Sequence, residues 1–312
     1  MSLATRSLPG RIEPFRLFFG AGECTQITTV ADSSGSLNDT YWEFSVPASL
    51  FNSTKLAVDY YVWYNINAAG TDPALAGKVG IEVTAATDAT AETIALNTQT
   101  AIDALSPQRV NSSLSGSVLT IENREMGVTT AAADGAVPTG FTISQLSAGF
   151  GGDFGATTQD GAEISYESET VPITSLQTGN LILDQFYLGG AINLSVGLQE
   201  MDIETWDLAL RSTGSSFTPP GGTQVAGIGE ATLFRSFLAT GGQLTLKPLS
   251  TAADDNSRNQ TFWRAAPQPE SVNFNNDIQA LQVTFQALLD PSKDTRINSY
   301  MFGDQDQEGL QS

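Results

Sequence analysis

Residues 161–214, GAEISYESETVPITSLQTGNLILDQFYLGGAINLSVGLQEMDIETWDLALRSTG, change period partway along, and that change decides the fold class. In residues 191–198 the apolar side chains recur at every second position, so Ile192, Leu194, Val196 and Leu198 fall on one face of a strand. From Gln199 the spacing becomes three and four. Ile203, Trp206 and Leu210 then line one side of a short helix, with Glu200, Asp202 and Glu204 near its positive N-terminal end and Gly214 placed to close it. Upstream, residues 163–167 alternate as well. Val171-Pro172-Ile173 is expected to interrupt that strand before the apolar run Leu181-Ile182-Leu183. The stretch predicts two or three paired strands feeding a helix that covers them.

Working outward, residues 12–30 read as a strand, a Gly-Ala-Gly turn and a second strand ending near Val30. The polar run 31–40 has loop composition and marks an expected boundary. Residues 41–147 then read as a unit of their own: strands at 41–46, 55–66, 78–83, 117–122 and 140–144, with a helix in between. Asp88 is the expected cap of that helix, and Ala91, Ile94, Ala95, Thr98, Ala101, Ile102 and Leu105 share its inner face. This order suits a small α+β module with the helix on one sheet face. Residues 149–161 form a glycine-rich connector, and 215–229, centred on Pro219-Pro220-Gly221-Gly222, read as an exposed arm. Residues 231–238, 243–246, 259–266 and 280–289 resume the strands, with Leu281, Val283, Phe285 and Ala287 inward; Asp290-Pro291 stops the last of them, and a polar tail follows.

Composition narrows the function. The 312 residues include 29 glycines, carry 34 acidic against 14 basic side chains, and have a formal net charge of −20. So acidic a surface repels nucleic acid over most of its extent, which disfavours DNA binding by phosphate neutralisation. No apolar run approaches the roughly 20 residues that span a bilayer. Arg6, Arg11 and Arg16 resemble a targeting segment, but Pro9, Gly10, Glu13 and Pro14 break the apolar stretch a secretory signal needs. The Asn-x-Ser/Thr sequons at Asn38, Asn52, Asn111, Asn193 and Asn259 are expected to be chance matches in a Ser/Thr-rich chain.

Chemistry has few candidates. There is no histidine, the usual base of Ser and Cys hydrolases and the commonest metal ligand, and the single Cys24 reads as a small core residue. Glu167 with Glu169, or Glu200 with Glu204, are the carboxylate pairs a glycosidase would need, yet helix-start acids already have a structural role at the dipole. The acidic runs 253–256 and 303–306 lack the ligand spacing of a calcium loop. No phosphate-binding or dinucleotide fingerprint occurs. The expectation is a chain that is not an enzyme and takes no metal or cofactor.

The strand beginning Gly161-Ala-Glu-Ile-Ser-Tyr166, its acidic Pro-containing continuation, and INLSVGLQEMDIETWDLAL at 192–210 resemble the tail tube proteins of long-tailed bacteriophages. Residues 200–210 fit that family's E-x-T/D-x-E-x-L-x-x-A-L pattern, apart from Trp206 where a smaller apolar residue is usual. The resemblance covers 161–214, and 262–291 more loosely. YYVWYNINAAGTDPALAGKVGIEV at 60–83, with the Ala/Thr-rich helix after it, resembles a small module that recurs in phage virion proteins.

What the resemblance implies is a mainly β (α+β) chain. Residues 1–35 and 148–312 would form a tail-tube-like β-sandwich or barrel with one flanking helix, and 36–147 an inserted, outward-facing α+β module. Copies would join edge to edge into rings, hexameric in this family, that stack with other tail proteins into the virion tail around a channel. DNA would pass through without specific binding, and no membrane would be involved. Glu163, Glu167, Glu169 and Asp184 are the expected channel-wall residues. The N-terminal arm, the C-terminal tail and Phe217, Pro219, Pro220, Tyr300 and Phe302 are the expected contacts between subunits or rings. The alternative is a tail-tip or surface adhesin whose inserted module binds host glycan on Tyr60, Tyr61, Trp63 and Tyr64, rings that otherwise read as core. A capsid decoration protein would share the same assembly chemistry.

Overall fold

Alternating apolar residues become strands almost throughout, and in the computed structural model the chain is mainly β. The structure describes residues 14–50, 52–155, 157–174, 182–199, 202–230, 233–252, 254–274 and 279–305. The expected N-terminal arm therefore lies largely outside the described residues. Strand β1 (Phe15–Ala21) is the first element among the described residues, and the chain divides into two compact units: Gly20–Gly152, and the flanking residues up to Phe19 and from Asp153.

The inner unit holds β2 (Cys24–Thr28), β3 (Tyr41–Val46), β4 (Val58–Ile66), β5 (Val79–Ala85), helix α1 (Ala91–Asp103), β6 (Val110–Ser115), β7 (Val118–Asn123), β8 (Ala133–Asp134) and β9 (Thr142–Ser147). They form two four-stranded sheets, β6-β7-β2-β9 and β5-β4-β3-β8. Trp42, Phe44, Tyr60, Val62, Tyr64 and Ile81 from one sheet and Ile27, Leu119 and Ile121 from the other share a single buried cluster, closed by Ile94 and Ile102 of α1. Each such fully buried side chain contributes on the order of 1.5–3 kcal/mol.

This unit differs from expectation in three ways. Its boundary falls at Gly20, not at residue 36, because β2 pairs with β7 on one side and β9 on the other. The polar run 31–40 is no linker: Leu37 is buried in the cluster, and Asp32 accepts hydrogen bonds from the backbone N–H groups of Gly35, Leu37 and Asp88 at 2.8–3.0 Å. The cap of α1 is Thr90, whose hydroxyl accepts from the Thr93 N–H at 3.3 Å, while Asp88 sits in a left-handed turn and accepts from Ser34.

The second unit continues with β10 (Phe150–Asp153), β11 (Thr157–Thr174), β12 (Ile182–Leu198), helix α2 (Ile203–Ala209), β13 (Ser215–Phe217), β14 (Val225–Gly227), helix α3 (Phe237–Thr240), β15 (Gly242–Pro248), β16 (Gln260–Phe274), β17 (Gln279–Leu288) and β18 (Tyr300–Phe302). One sheet runs β10-β1-β15-β16-β17-β12-β11, with β18 added beside β16. It curls on itself. Two strands, β15 and β16, separate Phe19 of β1 from β17 along the sheet, yet its ring centroid is 5.7 Å from that of Phe285, with Phe154 completing the trio at 5.5 Å. A flat sheet, with strands ~4.8 Å apart, would hold those rings far beyond contact. Leu17, Leu194, Val196, Leu198, Leu244, Leu281 and Val283 fill the same concave side and are all buried.

Four expectations are corrected here. Pro172 does not interrupt β11, because that strand is the sheet's edge and a missing N–H on the outer side breaks no ladder bond. Helix α2 starts later, capped by Asp202 whose carboxylate accepts from the Thr205 N–H at 2.7 Å, and it buries Thr205, Leu208 and Ala209; of the expected stripe Leu210 is buried at the C-cap, while Ile203 and Trp206 are half-buried. It ends at Ala209, five positions before Gly214, whose N–H donates back to the Leu210 carbonyl. The arm at 215–229 is a β13–β14 hairpin closed by a turn in which the Gly222 N–H reaches the Pro219 carbonyl at 2.9 Å. Gly221, with φ 71°, takes the left-handed corner that a type II turn requires. Residues 237 and 238, expected to end a strand begun at 231, instead open the single turn α3.

Candidate functional site

Four strands of the second unit are long, and they are neighbours: β16, β17, β12 and β11. Residues 193–198 of β12 pair with 281–286 of β17, from Asn193 opposite Gln286 to Leu198 opposite Leu281. Before Asn193, β12 pairs only with β11, so the β11–β12 hairpin runs on past the sheet body. The β16–β17 hairpin runs on the other way, to Phe274 opposite Gln279. Two ribbons thus overlap in the middle and project at opposite ends.

Facing pairs across antiparallel strands lie on the same side, so the register assigns each side chain to a face. The concave face carries Leu194, Val196, Leu198, Leu281, Val283 and Phe285. On the other face β11 presents Glu163, Ser165, Glu167 and Glu169, β12 presents Asn193 and Ser195, and β17 presents Gln282, Thr284 and Gln286. Gln268 and Glu270 of β16 complete it. Hydrogen bonds run across this face from Ser195 to Thr284 at 2.9 Å, from the Thr284 hydroxyl to the Glu270 carboxylate, and from the Gln268 amide to Gln286 at 3.2 Å.

All four expected wall residues come together here. Asp184 is opposite Ile173 and so shares the side of Glu163, Glu167 and Glu169; all four are exposed. Glu270 is a fifth carboxylate that the sequence reading missed. It sits at a bulge between Pro269 and Ser271, which shifts it out of simple alternation. None of the face positions named carries a basic residue.

The projecting half of the hairpin is shaped by Gly189 and Gly190. Leu188 is the extra residue of a bulge, and a Cβ on Gly190 would lie 1.9 Å from the Glu167 carbonyl oxygen, so no larger residue fits without unpairing the ribbon. Val171, Ile173, Phe186, Tyr187 and Leu188 of this half are all exposed. Its long outer edge on β11 has no partner strand among the described residues, and β16 from Ala266 onward likewise has β17 on one side and no strand on the other. Two open edges of one four-stranded ribbon are thus left, one at each side.

The other expected contact residues are scattered. Phe217 pairs across β13–β14 with Val225 and is exposed, and Pro219 and Pro220 make the hairpin's tip. Tyr300 is engaged within its own chain. Its ring lies 5.0 Å from Phe262 and 6.0 Å from Tyr166, its hydroxyl donates to Gln260, and burial pushes its phenol above the ordinary range. Phe302 points to solvent at 63% exposure.

Among the described residues no group of three or more His, Cys, Asp or Glu could hold a metal ion. In the acidic run at 253–256, Asn256 is buried and accepts from the Lys247 ammonium at 3.0 Å, so the polar atoms of this turn already face a cation of the chain itself. Burial, with Glu122 and Glu23 nearby, pushes the Cys24 thiol up to about 11, which makes it a poor nucleophile. Tyr60, Tyr61, Trp63 and Tyr64 are each at most 7% exposed, so they form core and offer no open face on which a sugar ring could stack. Among the described residues no helix is long and apolar enough to cross a membrane. Neither a protein-family model nor a curated protein matches this chain.

Proposed function

We propose that this chain is a structural subunit of the phage tail tube type, whose copies join ribbon to ribbon into a ring around a channel that conducts DNA. The observation that carries the reading is the four-stranded ribbon, whose face is polar and acidic where the two hairpins overlap and whose two sides each have an open edge. An unpaired edge leaves backbone N–H and C=O groups ready to bond another strand. When the two edges of one ribbon differ, as β11 and the far half of β16 do, edge-to-edge contact is head-to-tail and closes into a ring if the rotation per copy allows. Closing a sheet also needs tilted, staggered strands, and the opposite overhang of the two hairpins supplies a stagger.

Burial then decides which face looks inward. Where β12 and β17 run side by side the apolar side is buried in its own unit, so the opposite face, bearing Glu163, Glu167, Glu169, Asp184 and Glu270, is the one left to line the channel. Carboxylates there repel phosphates, so DNA slides; a basic wall would release counterions and hold it.

Negative-stain electron microscopy of the concentrated protein tests the reading. Rings or tubes with an open lumen are expected, and a monomer at every concentration would count against it. In assembled tubes, Glu163→Lys, Glu167→Lys and Glu169→Lys together should leave assembly intact and turn the lumen into a salt-sensitive trap for DNA. Monomer stability should change by less than ~0.5 kcal/mol, since these are exposed positions.

A further inference from the structure

The last described segment re-enters the sheet in a way the chain did not need. β17 runs antiparallel to β16 and ends with Leu288 opposite Arg264; β18 also runs antiparallel to β16, with Tyr300 opposite Phe262. Both occupy the same side of β16. A strand that simply continued from Leu288 would place residue 290 opposite Phe262, yet the residue found there is Tyr300. Roughly ten residues of slack separate the two, a tether of ~33 Å when extended at ~3.3 Å per residue. The slack is folded on itself by local bonds: the Asp290 carboxylate accepts from the backbone and hydroxyl of Ser292, Asp290 N–H donates to the Asn298 carbonyl at 2.8 Å, and Asp294 pairs with Arg296.

What the strap covers is poorly satisfied. Three residue pairs hold β18 to β16, from Gln260 opposite Phe302 to Phe262 opposite Tyr300. Beyond them the Gly303 N–H reaches the Asn259 carbonyl at 2.9 Å, Asn259 donates to the Gln305 side chain at 3.1 Å, and the Lys293 ammonium lies 4.6 Å from the centre of the Trp263 ring. Beneath this contact Asn259 Oδ1, Thr261 Oγ1, Trp263 Nε1 and Gln305 Nε2 are buried with no hydrogen-bond partner among the described residues. A buried unpaired polar atom costs about 1–3 kcal/mol, which opening the strap would return to water. The strap is therefore among the cheaper elements to open.

Opening would leave the 260–262 edge of β16 bare between Phe262 and Tyr166. The segment that fits it has a ring to fill the place of Tyr300 and an amide to meet Asn259, and residues 300–305 of another copy present both. We propose that β18 is an exchanged strand: closed on its own β16 in the free subunit, and paired with the β16 of a neighbouring copy in the assembly. This rests on the self-assembly reading above. The contacts are the same in either state, so exchange costs only the refolding of the tether, and ribbon-to-ribbon association supplies the neighbour at a high effective concentration.

Thr261 and Met301 face each other across the strap, so a cysteine at each position reports which chain the strap sits on. The experiment uses the full chain carrying Cys24→Ser, Thr261→Cys and Met301→Cys, oxidised either as dilute subunit or after assembly, and run on a non-reducing denaturing gel. Dilute protein should cross-link within one chain, and assembled protein should give a ladder of linked copies. Assemblies whose cross-links stay within single chains overturn the exchange while leaving the self-assembly reading standing. Failure of the Cys24→Ser chain to assemble at any concentration sinks both. If the buried pair impairs folding, Gln260→Cys with Phe302→Cys reports the same register from more exposed positions. As a second measurement, shortening the tether within 291–299 should speed dissociation of assemblies on dilution at least tenfold; an unchanged rate also counts against the exchange.

Discussion

The two units of this chain solve the same problem in opposite ways. Residues 20–152 put two sheets and a helix around one aromatic core, inside which the Trp42 indole N–H donates to the Tyr64 hydroxyl at 3.2 Å, which meets Thr98 at 3.0 Å. The flanking unit buries one side of a curled sheet and leaves its longest strands with bare edges and exposed aromatic and aliphatic side chains. A domain that ends in itself needs nothing more. One that leaves the outer edge of the eighteen-residue β11 without a partner strand among the described residues looks unfinished without company.

The contrast can be broken most decisively at the edge. Pro172 already sits in β11, so Ser168 and Thr170, which share its register, point their N–H groups to the outer side. Ser168→Pro with Thr170→Pro should abolish assembly while leaving circular dichroism and monomer size unchanged. Assembly at wild-type concentration would mean that this edge joins nothing.

A smaller effect is expected in the closed unit. Trp42→Ala removes a fully buried side chain and should cost about 3–5 kcal/mol of that unit's stability by denaturant titration. Assembly of whatever remains folded should be unaffected, and a loss of assembly in step with stability would erase the division of labour.

The smallest effect concerns the buried loop around Asp32. Burial pulls its carboxyl upward, but the N–H groups of Leu37, Asp88 and Gly35 and the Ser36 hydroxyl more than offset this and hold it below the ordinary aspartate range. A group depressed in the folded state stabilises above its unfolded value of 3.8 and loses that contribution as pH falls through the folded value. Asp32→Asn should therefore cost roughly 1–2 kcal/mol at neutral pH and progressively less as the pH falls below the unfolded value of 3.8 and through the lower folded one, read by thermal melts at several pH values. A constant difference across that range would show that the carboxylate's charge is not what ties the loop.

How much of this was legible in residues alone follows from which forces are local. The strands at 41–46, 58–66, 192–198 and 280–288 announce themselves by alternation. β6 does not, since Val110-Asn-Ser-Ser-Leu-Ser has only two apolar residues and forms by pairing with β7. Pro172 reads as a break because sequence does not reveal which strand is an edge. In 231–238 the apolar residues suggested a strand, but Leu233, Phe234 and Leu238 stay exposed and no neighbour takes them up. The acids at 163, 167 and 169 share a face by parity alone; placing Asp184 and Glu270 beside them needed the register and its bulges. The slack before β18 was invisible for the same reason, because surplus length can be measured only against a partner strand.

The overlap of the two ribbons has a mechanical side. Because β12 and β17 lie alongside each other only between Asn193–Leu198 and Leu281–Gln286, while their hairpins overhang at opposite ends, a pull along the strands loads those hydrogen bonds together instead of peeling them one at a time. A wall laid from such staggered pieces would resist stretching as overlapping planks do, and would yield first to forces that pry a single edge sideways.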